Sequence, residues 1–221
     1  MHLIALGFAP GIYWLWFFIK KDKWNPEPKA MILKAYFLGI FSTILVLLVQ
    51  LPCKFSYLTG AVLVAPILEE SVKFMIVLFF FYPHREFDEP IDGIIYASAV
   101  ALGFASIENV FYMFGVNSQS RYLLPGVILV RSLLSVPGHA LFSSIWGYAL
   151  GKVKFTDSRK KHLLLGSSLI LAMIAHGLFN LFCLIGNFFS AGLLILIVLL
   201  WVLLSKNIRK AIGKTSYFAP K

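Results

Sequence analysis

Seven stretches of the sequence are long and apolar enough to cross a lipid bilayer, and they leave little chain for anything else. A spanning helix needs about 20 mostly apolar residues, with a range of roughly 17 to 25. The stretches lie near residues 3–19, 33–52, 57–82, 91–116, 124–150, 163–185 and 187–205. They predict an all-α polytopic membrane protein of about seven transmembrane helices, in which residues 1–221 form a single membrane-embedded domain.

The composition agrees with a multi-pass protein of the cell membrane. Hydrophobic residues make up 59% of the chain and charged residues only 14%, whereas soluble domains carry about 25% charged residues. This excludes a cytosolic enzyme, a disordered chain and a secreted disulfide scaffold. The first stretch lacks a basic leader and is followed directly by Lys20 and Lys21, so we expect a retained helix rather than a signal peptide.

The positive charges predict the orientation of the bundle. Of the 20 Lys and Arg residues, sixteen flank the stretches on one predicted face, and only Lys54 and Arg121 lie on the other. The positive-inside rule then puts the N-terminus outside and the C-terminus in the cytoplasm. We therefore interpret the net charge of +10 as orienting the protein in the lipid bilayer, and we expect no nucleic-acid partner.

Several small or special residues predict local shape. Pro66 and Pro137 lie within long stretches and are expected kink points. Small residues recur every four positions from Gly93 to Ala105, which is typical of close helix contact. The last two stretches are separated by Gly186 and Asn187, which predict a tight helical hairpin.

Ionisable side chains occur inside the third predicted span. Such a residue costs about 2.5–3.5 kcal/mol at a helix centre and is functional by default. At 100° per residue, Glu69, Lys73 and Glu70 form one polar arc that must face the bundle interior. A buried salt bridge that only fixes helix packing would account for one glutamate with Lys73, but not readily for the second.

Three later spans add polar side chains at a similar depth. Glu108 lies near the edge of the small-residue stripe, His139 lies on a polar face, and His176 and Asn180 are four residues apart. With a rise of 1.5 Å per residue, four of these side chains fall within a layer about 10 Å thick that is displaced toward the outer face. They are Glu69, Glu108, His139 and His176. We predict one intramembrane site, although each histidine taken alone is as compatible with helix packing.

Glutamates and histidines in a pocket of low dielectric suit general acid–base chemistry. A carboxylate can activate water, and His and Asn side chains can stabilise the resulting oxyanion. No Ser or Cys is marked as a nucleophile, and the zinc motif His-Glu-x-x-His is absent from the sequence. A Zn²⁺ site of Glu and His, a proton-coupled transporter and a non-catalytic scaffold remain open alternatives. The lack of an internal repeat speaks against the transporter.

The motifs resemble those of the PrsW membrane proteases. Glu69-Glu70-Ser-Val-Lys73 resembles the family's E-E-x-x-K motif, and Phe104-Ala-Ser-Ile-Glu108 resembles its F-x-x-x-E motif. The run from Pro90 to Tyr96 also looks very like the family's distinctive stretch. The wider group includes type II CAAX prenyl proteases and bacteriocin-immunity proteins, whose H-x-x-x-N motif is similar to His176-Gly-Leu-Phe-Asn180. The positions of Lys73 and Glu108 depart from the CAAX pattern and fit PrsW.

The resemblance implies a catalytic core near residues 57–185 and proteolysis of a membrane-anchored protein. The implied partner is a single-span substrate such as an anti-sigma factor, which would receive its first (site-1) cut in regulated proteolysis. The wider group is regarded as glutamate-dependent, so no metal or other cofactor is expected. The implied catalytic residues are Glu69, Glu70, Glu108 and His176, and the implied stabilising residues are Asn180, His139 and Lys73.

Overall fold

The chain is an all-helical bundle, which confirms the predicted fold class. The computed structural model describes residues 2–22, 24–156, 159–186 and 190–215. The α-helices are α1 (His2–Ile19), α2 (Lys29–Gln50), α3 (Tyr57–Thr59), α4 (Ala65–Phe80), α5 (Asp92–Gln119), α6 (Leu124–Val130), α7 (Val136–Lys154), α8 (Lys161–Ile185) and α9 (Ser190–Thr215). A 3₁₀ turn, Arg121–Leu123, precedes α6, and π-helical turns at Gly60–Val64 and Arg131–Ser135 precede α4 and α7.

Six helical spans of the described residues are long and apolar enough to cross a membrane. They correspond to every predicted stretch except the third, which is assembled from α3, a π-helical turn and the 16-residue α4. The orientation of the termini stays a prediction. Lys23, Asn187 and Lys221, which entered the charge and hairpin arguments, lie outside the described residues.

Both predicted kink points lie next to π-helical turns. A proline inside a helix lacks the N–H donor and crowds the carbonyl four residues before it. Pro66 and Pro137 each follow a five-residue π-helical turn and stand in the first turn of α4 and α7. The wider turn accommodates the proline ring without ending the segment. Each irregular turn lies within one or two turns of a predicted site residue, Glu69 or His139.

Helix α5 is the centre of the bundle. Its residues from Asp92 to Ser106 are all buried, and it packs against α1, α2 and α7. The predicted small-residue stripe is at this interface. A Cβ on Gly147 of α7 would lie 2.5 Å from the Gly93 carbonyl oxygen, so both positions require glycine. Farther along the same two helices, Glu108 of α5 and His139 of α7 lie within bonding distance.

Acidic side chains are buried where the chain enters α5. The Glu27 amide donates to Asp22, the Glu89 amide donates to Asp92, and the Tyr96 hydroxyl donates to Glu27. Burial raises the pKa of Asp22 to about 6 and the pKa of Glu27 and of Glu89 to about 7. These carboxyls lie at the cation-rich end of the bundle, away from the predicted site.

Candidate active site

The polar arc predicted on α4 is present and is organised around Lys73. The Lys73 ammonium is fully buried and donates to Glu70 Oε1 at 3.0 Å and to Glu69 Oε2 at 3.3 Å. The single cation Lys73 therefore pairs with two carboxylates that lie about one helical turn before it on α4. The salt bridge considered from the sequence exists, but it leaves the second carboxylate charge uncompensated within the arc.

Glu70 is sealed inside the bundle. Its Oε2 accepts hydrogen bonds from Ser143 Oγ at 2.7 Å and from Trp146 Nε1 at 3.0 Å, both on α7. Its Oε1, already bonded to Lys73, lies 3.3 Å from His176 Nδ1 on α8, a close polar contact without hydrogen-bond geometry. Both oxygens of the Glu70 carboxylate are therefore in contact with polar groups, and Glu70 links α4, α7 and α8. Little room remains for a further hydrogen bond to it.

His139 connects the arc to α5. Its Nδ1 lies 3.1 Å from the Lys73 ammonium, and its Nε2 lies 2.9 Å from Glu108 Oε2. Since an ammonium can only donate, this network assigns the proton of a neutral imidazole to Nε2. The His176 ring packs edge-on against His139, with ring centroids 5.0 Å apart. The predicted site residues of four helices are thus brought together.

Two further polar residues join the site, Arg131 and Asn109, to which the sequence assigns no role. The Arg131 guanidinium donates to Glu108 Oε2 at 3.0 Å and, through Nε, to Asn109 Oδ1 at 2.7 Å. It also lies 3.7 Å from the centre of the Tyr112 ring. The signal that would have pointed to Arg131 is the cost of a cation in a membrane span.

A cavity of about 700 Å³ opens beside these groups. Glu69, Glu108, Arg131 and His139 border it, whereas Glu70, Lys73 and His176 do not. The remaining lining includes Thr43, Val46, Leu47, Gln50, Tyr57, Ala61, Phe111, Tyr112, Val116, Gly126, Val127, Asn180, Cys183 and Leu184. Most of these residues belong to the helix ends that lead to the cation-poor face. The cavity therefore runs from the carboxylates toward that face.

Asn180 borders the cavity but is also part of a helix contact. Its amide donates to the Ala61 carbonyl at 2.9 Å, within the π-helical turn before α4. Gly177 permits this approach, since a Cβ there would lie 2.5 Å from the Val62 carbonyl oxygen. Asn180 thus fastens α8 to the segment that carries Glu69. Its predicted role in oxyanion stabilisation stays a prediction.

Three side chains of the site could hold a metal ion. Glu69, His139 and His176 each offer one ligand atom, and these atoms lie within 4.8 Å of one another. The other ring nitrogen of each histidine faces a carboxylate, Glu108 or Glu70, as second-shell carboxylates do in metal sites. Two His and one carboxylate are a known catalytic zinc set, so the donor set fits. The Lys73 ammonium, however, lies within 3.3 Å of two of the three ligand atoms.

The fold and the site define a membrane-embedded bundle whose apolar helices enclose a Glu/His site beside a cavity. Residues 27–205 match the model of the PrsW family intramembrane metalloproteases. The chain belongs to the PrsW family of intramembrane proteases. This supports the protease over the transporter and scaffold alternatives.

Curated relatives named Protease PrsW match four fifths or more of this chain. The Geobacillus kaustophilus protein is 33% identical over 96% of this chain and 92% of its own length. The Bacillus subtilis protein is 35% identical over 80% of this chain and 81% of its own. The Oceanobacillus iheyensis protein is 35% identical over 96% of both chains. No solved structure matches.

Proposed function

We propose that this protein is a glutamate-type intramembrane endopeptidase in which Glu69 activates the attacking water. The observation that carries the proposal is the unequal exposure of the two adjacent glutamates. Glu69 borders the cavity, whereas Glu70 does not and is enclosed by donors from α4 and α7 and by the His176 ring of α8. A general base must reach the water it deprotonates, and Glu69 meets that requirement.

The neighbouring groups have supporting roles in this proposal. Lys73 holds Glu69 in place and partly compensates the paired carboxylates. Glu108 and His139 line the cavity beside Glu69 and can position the water or share its proton. His176 lies 3.9 Å from Glu69 Oε2 and is the candidate for stabilising the developing oxyanion together with Asn180.

The proposed substrate is a single-span membrane protein, such as an anti-sigma factor that receives its site-1 cut. The cavity runs from Glu69 toward the cation-poor face, which the positive-inside rule puts outside the cytoplasm. A substrate segment would therefore enter from the extracytoplasmic side. The anti-sigma factor itself rests on the family resemblance.

The proposal is tested by comparing membrane-protein N-termini between cells with the wild-type protein and cells with Glu69→Gln. We expect a small set of extracytoplasmic or membrane-border cuts to disappear in the variant. Glu86→Gln is the matched control, because Glu86 lies outside the helices and pairs only with the exposed Arg85 among the described residues. Full cleavage by an expressed Glu69→Gln protein would contradict the assignment.

A zinc-dependent form of the same protease is the second candidate, favoured by the convergence of Glu69, His139 and His176. In that form these three residues would hold the ion, which would supply Lewis-acid activation of water. Metal analysis of purified protein, together with cleavage before and after chelation, separates the two candidates. A stoichiometric ion whose removal stops cleavage would favour the zinc form.

A further inference from the structure

We propose that Arg131 is a positioning residue that holds Glu108 against His139 and thereby sets the hydrogen-bonding state of the His139 ring. This inference rests on the proposed peptidase function but assigns a role to a residue that lies outside the sequence motifs. The observation behind it is a shared acceptor. Glu108 Oε2 contacts both Arg131 Nη2 at 3.0 Å and His139 Nε2 at 2.9 Å.

Glu108 needs such a holder because it stands at the cavity wall. Its side chain is 25% exposed, more than that of any other carboxylate in the site, and a glutamate has three rotatable bonds. Without a fixed partner, the carboxylate can turn into the cavity and leave the His139 ring. Arg131 bonds the same carboxylate oxygen as His139 and so restrains it.

Arg131 is itself held on three sides. Its Nε donates to Asn109, its guanidinium lies on the Tyr112 ring, and its side chain is only 10% exposed. Asn109 in turn donates to the Gly7 carbonyl of α1 at 3.2 Å. A planar guanidinium bonded through two nitrogens and stacked on a ring has far fewer orientations than a lysine ammonium would have.

The backbone around Arg131 is also fixed. Arg131 begins a π-helical turn, and such turns are common at functional sites. The next carbonyl, that of Ser132, accepts a hydrogen bond from Trp14 of α1 at 2.9 Å. Helix α1 thus holds both the turn that presents Arg131 and the Asn109 side chain that orients it.

The consequence reaches Glu69 through His139. When Nε2–H is held by Glu108, Nδ1 is available as the acceptor for Lys73. Lys73 is the residue that also bonds Glu69. If Glu108 moves away, the His139 ring can change tautomer or rotate, and Lys73 loses one of its three partners. Arg131 would therefore act on turnover, although it contacts neither Lys73 nor Glu69.

The direct test is ¹⁵N NMR of histidine-labelled protein in detergent. The His139 ring signals are assigned by their loss in His139→Gln. We expect the wild type to show Nε2 protonated and Nδ1 accepting, and Arg131→Ala to show a mixture of tautomers. Arg121→Ala, at an exposed arginine before α6, is the matched control and should leave the signals unchanged. Wild-type His139 signals in Arg131→Ala would overturn the proposal without touching the peptidase assignment.

Cleavage kinetics supply the second test, using a single-span protein whose cut disappears in Glu69→Gln cells. Arg131→Ala should lower kcat by about 10–100-fold, as loss of an outer-shell partner does, with KM changed less than about threefold. Added methylguanidinium should restore part of the activity, whereas urea, which has a similar shape but no charge, should not. A rise in KM with kcat unchanged would instead make Arg131 a substrate-binding residue and refute the positioning role.

A double-mutant comparison checks the route of the effect. If Arg131 acts through Glu108, replacing it in a Glu108→Gln background should lower kcat by less than about threefold further. If the kcat losses of the two single variants multiply in the double variant, Arg131 does not act through Glu108 and the proposal is refuted. Full cleavage of the substrate by the Glu69→Gln protein would refute the proposed function itself. The failure of this inference and the failure of the proposed function are therefore distinguishable.

Discussion

Removal of the Ser143 hydroxyl should destabilise the protein far more than removal of the neighbouring one. Ser143 Oγ donates to the Glu70 carboxylate at 2.7 Å, and both side chains are fully buried. Ser144 Oγ, also buried, donates only to the Leu141 carbonyl of its own helix at 2.7 Å. The two Ser→Ala changes remove the same atom from adjacent positions of α7 but differ in the acceptor left behind.

The size of the difference follows from the acceptor. A hydrogen bond to a charged group contributes about 1.5–3 kcal/mol to the free energy of unfolding. In Ser143→Ala, Glu70 Oε2 keeps the Trp146 donor but loses the other, and the Glu70 side chain is fully buried. At about 2–4 °C per kcal/mol, Tm should fall by about 3–12 °C. In Ser144→Ala, the Leu141 carbonyl keeps its place in the helix, and Tm should change by less than about 2 °C.

Differential scanning fluorimetry of the purified variants in one detergent measures both values. The five tryptophans report unfolding without a label. Cleavage activity should fall in Ser143→Ala below its unfolding temperature as well, since Glu70 and Lys73 support Glu69. Equal Tm values for the two variants would refute the argument, because they would mean that Glu70 does not depend on its α7 donors.

Three other predictions follow from the same structure. Gly147→Val should prevent stable folding, because even a Cβ would lie 2.5 Å from the Gly93 carbonyl oxygen; loss of the monodisperse peak in detergent gel filtration checks this. Thermal stability should fall as pH rises from about 4.5 to about 7, because the raised pKa of Glu27 makes the folded state hold a proton that the unfolded chain releases. Glu27→Gln should flatten that part of the Tm–pH curve, and an unchanged slope would contradict this. Glu69→Gln should lower the rate of cleavage by about 10²–10⁴-fold with little change in Tm, whereas Glu70→Gln should lower both the rate and Tm. Equal losses of Tm in the two variants would contradict the roles of Glu69 as base and Glu70 as buried support.

Much of the fold could be predicted from the sequence because the bilayer imposes a length and a composition on every span. The apolar stretches predicted the helices, and the 100° spacing predicted the arc of Glu69, Glu70 and Lys73. Both depend only on local geometry. The third stretch shows the limit, because hydropathy does not distinguish a continuous helix from a π-helical turn followed by α4.

The contacts between helices could not be predicted in the same way. The sequence indicates that Arg131 and Glu108 lie in spans, but their pairing depends on the rotation of α5 against the segment before α7. The same is true of Ser143, which shares the polar face of His139, and of Trp146. Neither contact with Glu70 follows from the sequence. The sequence predicts how deep a residue lies along its helix. The rotation of one helix relative to another depends on how the helices pack.

When His176, whose ring lies beside Glu69 and Glu70, is left aside, the site has one more carboxylate than it has cations. Glu69, Glu70 and Glu108 supply three carboxylates, whereas Lys73 and Arg131 supply two cations, and the His139 hydrogen bonds are those of a neutral ring. A buried charge without a partner is strongly destabilising. A proton that a carboxylate takes from the attacking water neutralises that carboxylate and moves its negative charge to the attacking oxygen, so the net charge of the site does not change. Glu70 is held by Ser143, Trp146 and Lys73, and Glu108 is held by Arg131 and His139. Glu69 has a single hydrogen bond among the described residues and borders the cavity, so it is the carboxylate best suited to receive that proton.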